Sequence, residues 1–378
     1  MKDPIYLDHN ATTPILPEVV DAMLPYLREH FGNPSSGHVF GARAKEAVEK
    51  AREQVARLLG CEADEVFFTS GGTEANNLAI RGVTEACRER SHIITSIIEH
   101  PATARPCAWL ERHDYSVSRL PVDTDGRVRA DDARQGIDEN TALVTLIHAN
   151  NETGVLQPVR EISILAHAKG ALMHTDAAQS VGKVAVDVRD LDVDLLSLAG
   201  HKLYAPKGVG ALYVRRGTPI APLVLGAGHE RGLRPGTENV ASIVGLGAAC
   251  ARAARDLDTE AARVATLRDL LWHRLNEAIP NLAINGHPLE RLPNTLNVRF
   301  PGISGPALLS QTPEIAASTG SACHEGHDQP SPIILAMGIS PQDALGSVRL
   351  TLGHSTTADD ITRASDYLIR SACSIRSS

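Results

Sequence analysis

The 378-residue sequence has few aromatic residues, which make up only 3% of it, so its cores must consist mainly of Ala, Val, Leu and Ile. It has no excess of basic residues, and a formal net charge of −8 argues against a nucleic-acid or acidic-membrane partner. No apolar run approaches the ~20 residues of a membrane-spanning helix. The polar start Met1-Lys2-Asp3-Pro4 predicts that no signal peptide is present.

The six cysteines are scattered without the paired spacing of a disulfide framework, which predicts a soluble protein of the reducing cytoplasm. Cys323 is distinct because it lies in a segment of small residues, 318–332, with His324 and His327 close by. A thiolate forms most readily where it is exposed and near proton carriers. Cys323 is therefore a candidate reactive thiol, with an ordinary surface cysteine as the alternative.

Short apolar runs alternate with amphipathic helical stretches over most of the chain. This α/β alternation predicts a parallel sheet covered by helices on both faces. After Gly236 the pattern changes to a long helix over about 241–279, followed by mixed short strands and helices. We therefore expect a large domain over 15–257 and a small α+β domain built from 1–14 and 258–378.

Polar residues follow several predicted strands, where open parallel sheets bind their ligands. Ser70-Gly71-Gly72-Thr73 joins a strand to a helix and suits an anion such as phosphate. Asp176 directly follows another predicted strand, and Lys202 lies four residues after the end of the next one. Taken singly, these features are more typical of a capped loop, a helix N-cap and a solvated lysine.

Together these residues match the needs of pyridoxal phosphate. Lys202 could form a Schiff base, and Asp176 could keep the pyridine nitrogen protonated so that the ring accepts electrons. His100 could stack on the ring, and Asn151 and Gln179 could bond its hydroxyl group. A dinucleotide is less favoured because the Gly-x-Gly-x-x-Gly turn is missing.

The chain resembles the class V, fold-type I pyridoxal-phosphate enzymes of the cysteine desulfurase and selenocysteine lyase group. The resemblance runs nearly from end to end. It is carried by Tyr6-Leu7-Asp8-His9-Asn10-Ala11-Thr12-Thr13-Pro14, Gly32-Asn33-Pro34-Ser35-Ser36, residues 69–77, Glu99-His100, residues 149–154, residues 174–179, Gly200-His201-Lys202, residues 234–239 and the segment around Cys323. It implies a large, mainly parallel seven-stranded domain, a small C-terminal domain and a homodimer with two shared active sites.

The resemblance also implies a role for each site residue. Lys202, Cys323 and His100 would be catalytic, and Arg349 and Asn10 would bind substrate. The cofactor would be bound by Thr73, Asn151, Asp176, Gln179, His201 and Lys202, with Thr237 supplied by the other subunit. The implied reaction cleaves L-cysteine or L-selenocysteine to L-alanine and leaves the chalcogen on Cys323, from which an acceptor protein takes it.

Three departures bear on the substrate and the acceptor. The residues from Ala322 to Pro332 resemble the animal selenocysteine lyases, but Pro101 replaces the acidic residue that follows the histidine in those enzymes. Ala199-Gly200 replaces a common Ser-Ser pair, which removes one serine hydroxyl that would bind the phosphate. The chain ends at Ser378, which predicts no extension for docking an iron–sulfur scaffold and hence a different acceptor.

Three other interpretations compete with this one. The chain could be an aminotransferase or another lyase of the same fold with Cys323 inert. It could bind a metal through Cys323, His324 and His327, although structural zinc usually has four convergent ligands. It could also be a catalytically inactive scaffold.

Overall fold

A computed structural model describes residues 3–320 and 329–377 of the chain. Cys323, His324 and His327 lie outside the described residues. The strands are β1 Ile5–Tyr6, β2 Val66–Thr69, β3 His92–Ser96, β4 Ser116–Leu120, β5 Thr141–Ile147, β6 Leu172–Asp176, β7 Leu195–Ala199, β8 Gly210–Val214, β9 Ala283–Ile284, β10 Thr295–Arg299, β11 Ile315–Ala316 and β12 Ser347–Thr351. The α-helices are α1 Pro17–Arg28, α2 Val39–Leu59, α3 Gly72–Ala86, α4 Pro101–Glu111, α5 Ala130–Gly136, α6 Val159–His167, α7 Val240–Ala278, α8 Gly305–Ser310, α9 Pro332–Ala336, α10 Pro341–Ala344 and α11 Ala358–Ser377.

The main sheet has seven strands in the order β2-β8-β7-β6-β5-β3-β4. The predicted α/β class is confirmed, but one strand departs from the expected parallel arrangement. β8 runs antiparallel to both β7 and β2. Only a short 3-10 turn and a loop connect β7 to β8, and without a helical crossover the chain must return in the opposite direction.

Apolar helix faces cover both sides of this sheet. On one side α2 and the first part of α7 pack through small and branched residues such as Ala51, Val55 and Leu246. α2 ends at Leu59 and is capped by Gly60, whose φ of 72° is the left-handed conformation that favours glycine. On the other side α3 and α4 pack through residues such as Leu78, Ile80 and Leu110. The sheet is therefore buried on both faces, which explains its continuous apolar strands.

A second core surrounds the antiparallel sheet β12-β10-β9. Leu271 and Leu275, from the second part of α7, pack there with Leu368 of α11. The same 39-residue helix thus contributes to both cores. The proposed domain limits at 14/15 and 257/258 stay a prediction.

The amino-terminal segment runs between the two sheets. β1 pairs in parallel with β11, Asp8 bridges to Thr351 of β12, and the Thr13 amide donates to the His201 carbonyl beside the large sheet. Residues 8–13 are therefore held at the junction of the sheets. In the described part of the chain, no helix is both long enough and apolar enough to span a membrane.

Candidate functional site

A cavity of about 270 Å³ lies where the carboxyl ends of the parallel strands meet. Its volume is near the lower end of the range for small-ligand sites. Its lining includes these predicted residues: Asn10, Thr73, His100, Asn151, Asp176, Gln179, His201, Lys202 and Arg349. Thr237 is exposed and does not line the cavity. Cys323 lies outside the described residues.

Asp176 is the last residue of β6 and is only 3% exposed. One carboxylate oxygen accepts from Asn76 Nδ2 at 2.6 Å, and the other accepts from the Ala178 amide at 3.0 Å. The carboxylate therefore has a fixed orientation. Sequence reasoning did not single out Asn76, although it follows Thr73 by three residues and so lies on the same helix face.

Lys202 ends the 3-10 turn that directly follows β7. Its amine donates to the backbone carbonyls of Asn10 at 2.5 Å and Ala11 at 2.8 Å. The Lys202 amine is thus directed toward the amino-terminal segment at the cavity rather than into solvent. This argues against the alternative that Lys202 is a solvated strand end.

His100 and Glu99 follow β3. His100 caps α4, and its Nδ1 accepts from the Ala102 amide at 3.1 Å, which leaves the proton of the neutral ring on Nε2. Burial lowers the His100 pKa; the charge of Lys202 adds to this effect and that of Asp176 opposes it. Burial raises the pKa of Glu99 to about 8, despite hydrogen bonds from Ser96 and the Ile147 amide. At neutral pH the ring is thus favoured as neutral and Glu99 as protonated.

The start of α3 and His201 both line the cavity. β8 passes so close to the glycine turn that a Cβ on Gly210 would lie 2.7 Å from the Gly71 Cα. His201 Nδ1 lies 3.2 Å from the Thr12 hydroxyl. Burial, with the nearby charge of Lys202, lowers the His201 pKa to about 4, so the ring is neutral and can donate one hydrogen bond.

Arg349 reaches the cavity from the middle of β12 and is 1% exposed. Its guanidinium donates to the Asn151 carbonyl at 2.9 Å and pairs with Asp8 at 2.7 Å. Asp8 also accepts from the Ser318 hydroxyl at 3.3 Å. Asp8 was not selected from the sequence because its partner lies 341 residues away.

The Asn10 side chain is engaged within the protein. Its amide nitrogen donates to Thr295 Oγ1 at 2.9 Å and to the Asn151 carbonyl, and its oxygen accepts from Asn294 and Lys183. Its backbone carbonyl accepts from Gln179 Nε2 at 2.9 Å as well as from Lys202. Asn10 therefore joins the amino-terminal segment to both sheets.

The cavity fits a polar ligand such as pyridoxal phosphate. Asn76 Oδ1, Asn151 Oδ1 and Arg349 Nε are buried atoms with no hydrogen-bond partner among the described residues. Buried polar atoms are normally satisfied, and these three belong to residues that line the cavity, so a polar ligand fits this site. The donor set also suits the cofactor, because it offers a carboxylate, an amine, a neutral imidazole and a glycine turn.

The described residues contain no group of three or more His, Cys, Asp or Glu side chains arranged to hold a metal ion. The metal-binding alternative at Cys323, His324 and His327 concerns residues outside this description.

The chain is similar in sequence and in fold to known proteins. The profile of the family described as "Aminotransferase class-V" matches residues 5–364. The cysteine desulfurase IscS of Dictyoglomus turgidum is 44% identical over 373 residues, which span 98% of this chain and 95% of that protein. A solved NifS-like protein superposes with a TM-score of 0.91 at 36% identity, with 99% of each chain covered. A structure described as "SspA in complex with cysteine" superposes with a TM-score of 0.82 at 36% identity and covers 92% of this chain and 98% of that one.

Proposed function

Because the chain belongs to the aminotransferase class-V family, we propose that it is a pyridoxal-phosphate-dependent cysteine desulfurase. It would convert L-cysteine to L-alanine and leave the sulfur as a persulfide on Cys323. The observation that carries the proposal is the convergence of Asp176, Lys202 and Arg349 on one cavity. Pyridoxal phosphate, when bound, supplies an electron sink that labilises bonds at the substrate Cα and Cβ.

The chain's own residues would hold and orient this cofactor. Asp176, fixed by Asn76, would keep the ring nitrogen protonated, and Lys202 would hold the cofactor covalently. His100 would stack on the ring, with Asn151 and Gln179 at its hydroxyl edge. Thr73 and His201 would bind the phosphate.

Substrate handling would involve both sheets. Arg349 would bind the substrate carboxylate through Nε and a terminal nitrogen, an arrangement that suits bidentate recognition. Lys202 would remove the Cα proton once it is released from the cofactor. The substrate C–S bond would break as the Cys323 thiolate bonds to that sulfur. Protonation of the remaining carbon skeleton would then give alanine. No external oxidant is needed, because the substrate carbon skeleton takes up the electrons lost by the sulfur.

We further infer that the protein is a cytoplasmic homodimer that passes sulfur to an acceptor protein. Thr237 is exposed and does not line the cavity of its own chain, which supports its assignment to the phosphate site of a second copy. Sedimentation should give about twice the chain mass of 40.3 kDa. A monomer that is fully active would contradict the shared site.

L-Selenocysteine is the second candidate substrate, because residues 322–332 resemble selenocysteine lyases in sequence. A selenol ionises at lower pH than a thiol, so proton-handling groups near the site should set the preference. The Dictyoglomus turgidum relative is named a cysteine desulfurase and the SspA structure holds cysteine, which favours sulfur.

The test measures alanine release from both substrates by the native protein, the Cys323→Ala variant and the Cys373→Ala control. Native protein should be yellow, should lose this colour on borohydride reduction and should release alanine. Cys323→Ala should lose turnover but keep the cofactor spectrum, whereas Cys373→Ala should be unaffected. Unchanged turnover in Cys323→Ala would overturn the desulfurase proposal and favour an aminotransferase or another lyase.

A further inference from the structure

A second lysine, Lys183, contacts the site from behind the cavity wall. It follows the turn after β6 and is partly buried. Its amine donates to Gln179 Oε1 at 2.8 Å and to Asn10 Oδ1 at 3.0 Å. Gln179 and Asn10 both line the cavity, whereas Lys183 does not.

These two hydrogen bonds determine the orientation of the side-chain amides of Gln179 and Asn10. A carboxamide presents an oxygen acceptor on one side and an NH₂ donor on the other, and a lysine amine in this position donates. With its oxygen bound to Lys183, Gln179 must direct its nitrogen the other way, and that nitrogen donates to the Asn10 carbonyl at 2.9 Å. Lys202 donates to the same carbonyl. Lys183 and Lys202 are thus joined through a single residue, Asn10.

We propose that Lys183 is a positioning residue that makes Gln179 a hydrogen-bond donor toward the cofactor. This inference rests on the proposed function, since it concerns how the chain receives pyridoxal phosphate. With Oε1 and one N–H engaged, Gln179 keeps its second N–H for the ring oxygen. A donor at that position favours the ionised oxygen over the neutral hydroxyl.

The arrangement does not depend on the charge of Lys183. Burial, together with the positive charges of Lys202 and Arg349, lowers the pKa of the Lys183 amine. A neutral amine still carries two N–H donors, which matches the two amide oxygens. The charge of Lys183 also lowers the pKa of two histidines, His9 and His201.

The experiment compares holoenzyme carrying Lys183→Met with the control Lys45→Met, in which the same change is made on the exposed face of α2. Two readouts are independent of turnover: the pH midpoint of the visible cofactor absorbance and the dissociation constant for pyridoxal phosphate. In Lys183→Met we expect the midpoint to rise by roughly half a unit, because the ionised ring oxygen loses its fixed donor. The cofactor should dissociate roughly fivefold more readily, as expected for one lost hydrogen bond.

A midpoint and a dissociation constant equal to those of Lys45→Met would overturn the inference. Should Lys183→Met fail to fold by circular dichroism, Lys183→Arg carries the test with the same readouts. Its displaced donors should also shift the midpoint, and a midpoint equal to the control would again overturn the inference. Failure of the native protein to bind pyridoxal phosphate would instead overturn the proposed function, so the two failures are distinguishable.

Discussion

The two sheets build their parts of the site in opposite ways. The large sheet contributes residues that lie just beyond strand ends, and burial keeps His100 and His201 largely neutral there. The three-stranded sheet contributes one permanent charge, Arg349, from the middle of a strand, and Asp8 of the amino-terminal segment pairs with it. The large sheet is thus suited to holding a cofactor through many directional contacts. The smaller one is suited to binding a single carboxylate.

The largest effect on activity is expected at Lys202, which follows β7. Lys202→Ala should lower alanine release by about 10⁴-fold, because it removes both the covalent attachment and the base. Borohydride should then fail to fix the cofactor to the protein. Lys207→Ala, at an exposed lysine five residues further along, is the control. Activity within tenfold of native in Lys202→Ala would remove Lys202 from the mechanism.

The next effect concerns stability of the large sheet. Glu230 is buried, pairs with Arg52 at 2.8 Å and accepts from the Phe68 amide at 2.8 Å. Glu230→Ala leaves the buried Arg52 guanidinium with only the half-exposed Glu49 as its ionic partner, and should cost about 3–5 kcal/mol in the free energy of unfolding. In the second core, the more exposed pair between Arg274 and Asp366 gives a contrast.

Asp366→Ala should cost less than ~1 kcal/mol, as surface pairs do. Urea unfolding of both variants measures the difference. Equal losses would show that burial does not distinguish the two pairs.

A substitution in the three-stranded sheet should change substrate binding rather than cofactor binding. Arg349→Lys keeps the charge but loses the planar fork, and should raise KM for L-cysteine about 100-fold with an unchanged cofactor spectrum. Arg299→Lys, on the neighbouring strand β10, is the matched control. A changed spectrum with normal KM would assign Arg349 to the cofactor side.

The smallest effect is the pH dependence of stability that one buried histidine of the large sheet contributes. His174 in β6 is fully buried between Thr145 and Ser197, and burial lowers its pKa to about 3. The unfolded chain therefore binds one more proton than the folded chain between about pH 6 and pH 3, and the stability contributed by neutral His174 is lost as pH falls through that range.

Replacing the ring should make the acid slope shallower. In His174→Asn we expect the slope of the unfolding free energy against pH to fall by up to ~1.4 kcal/mol per pH unit below pH 6. Urea unfolding at several pH values measures this slope. The exposed His354 supplies the control, His354→Asn. An unchanged slope in His174→Asn would contradict the buried neutral state.

Residues at strand ends could be predicted from the sequence because a polar residue after an apolar run is a local signal. Asp176, Lys202 and Thr73 belong to this class. Residues that act through distant partners carry no such signal: Asn76 bonds Asp176 across 100 positions, and Lys183 bonds Asn10 across 173. The direction of β8 was missed for a related reason, since apolar content does not reveal whether a helix or a loop precedes a strand.

The amino-terminal segment has a consequence for biosynthesis. Asp8 and Arg349 are 341 residues apart, yet they form one ion pair in the cavity. During translation the amino end emerges first and must wait for nearly the whole chain before its partners exist. Such distant contacts form slowly. In refolding, helical circular dichroism should therefore return before the ability to bind cofactor, and a nascent chain released before β12 should lack a complete cavity.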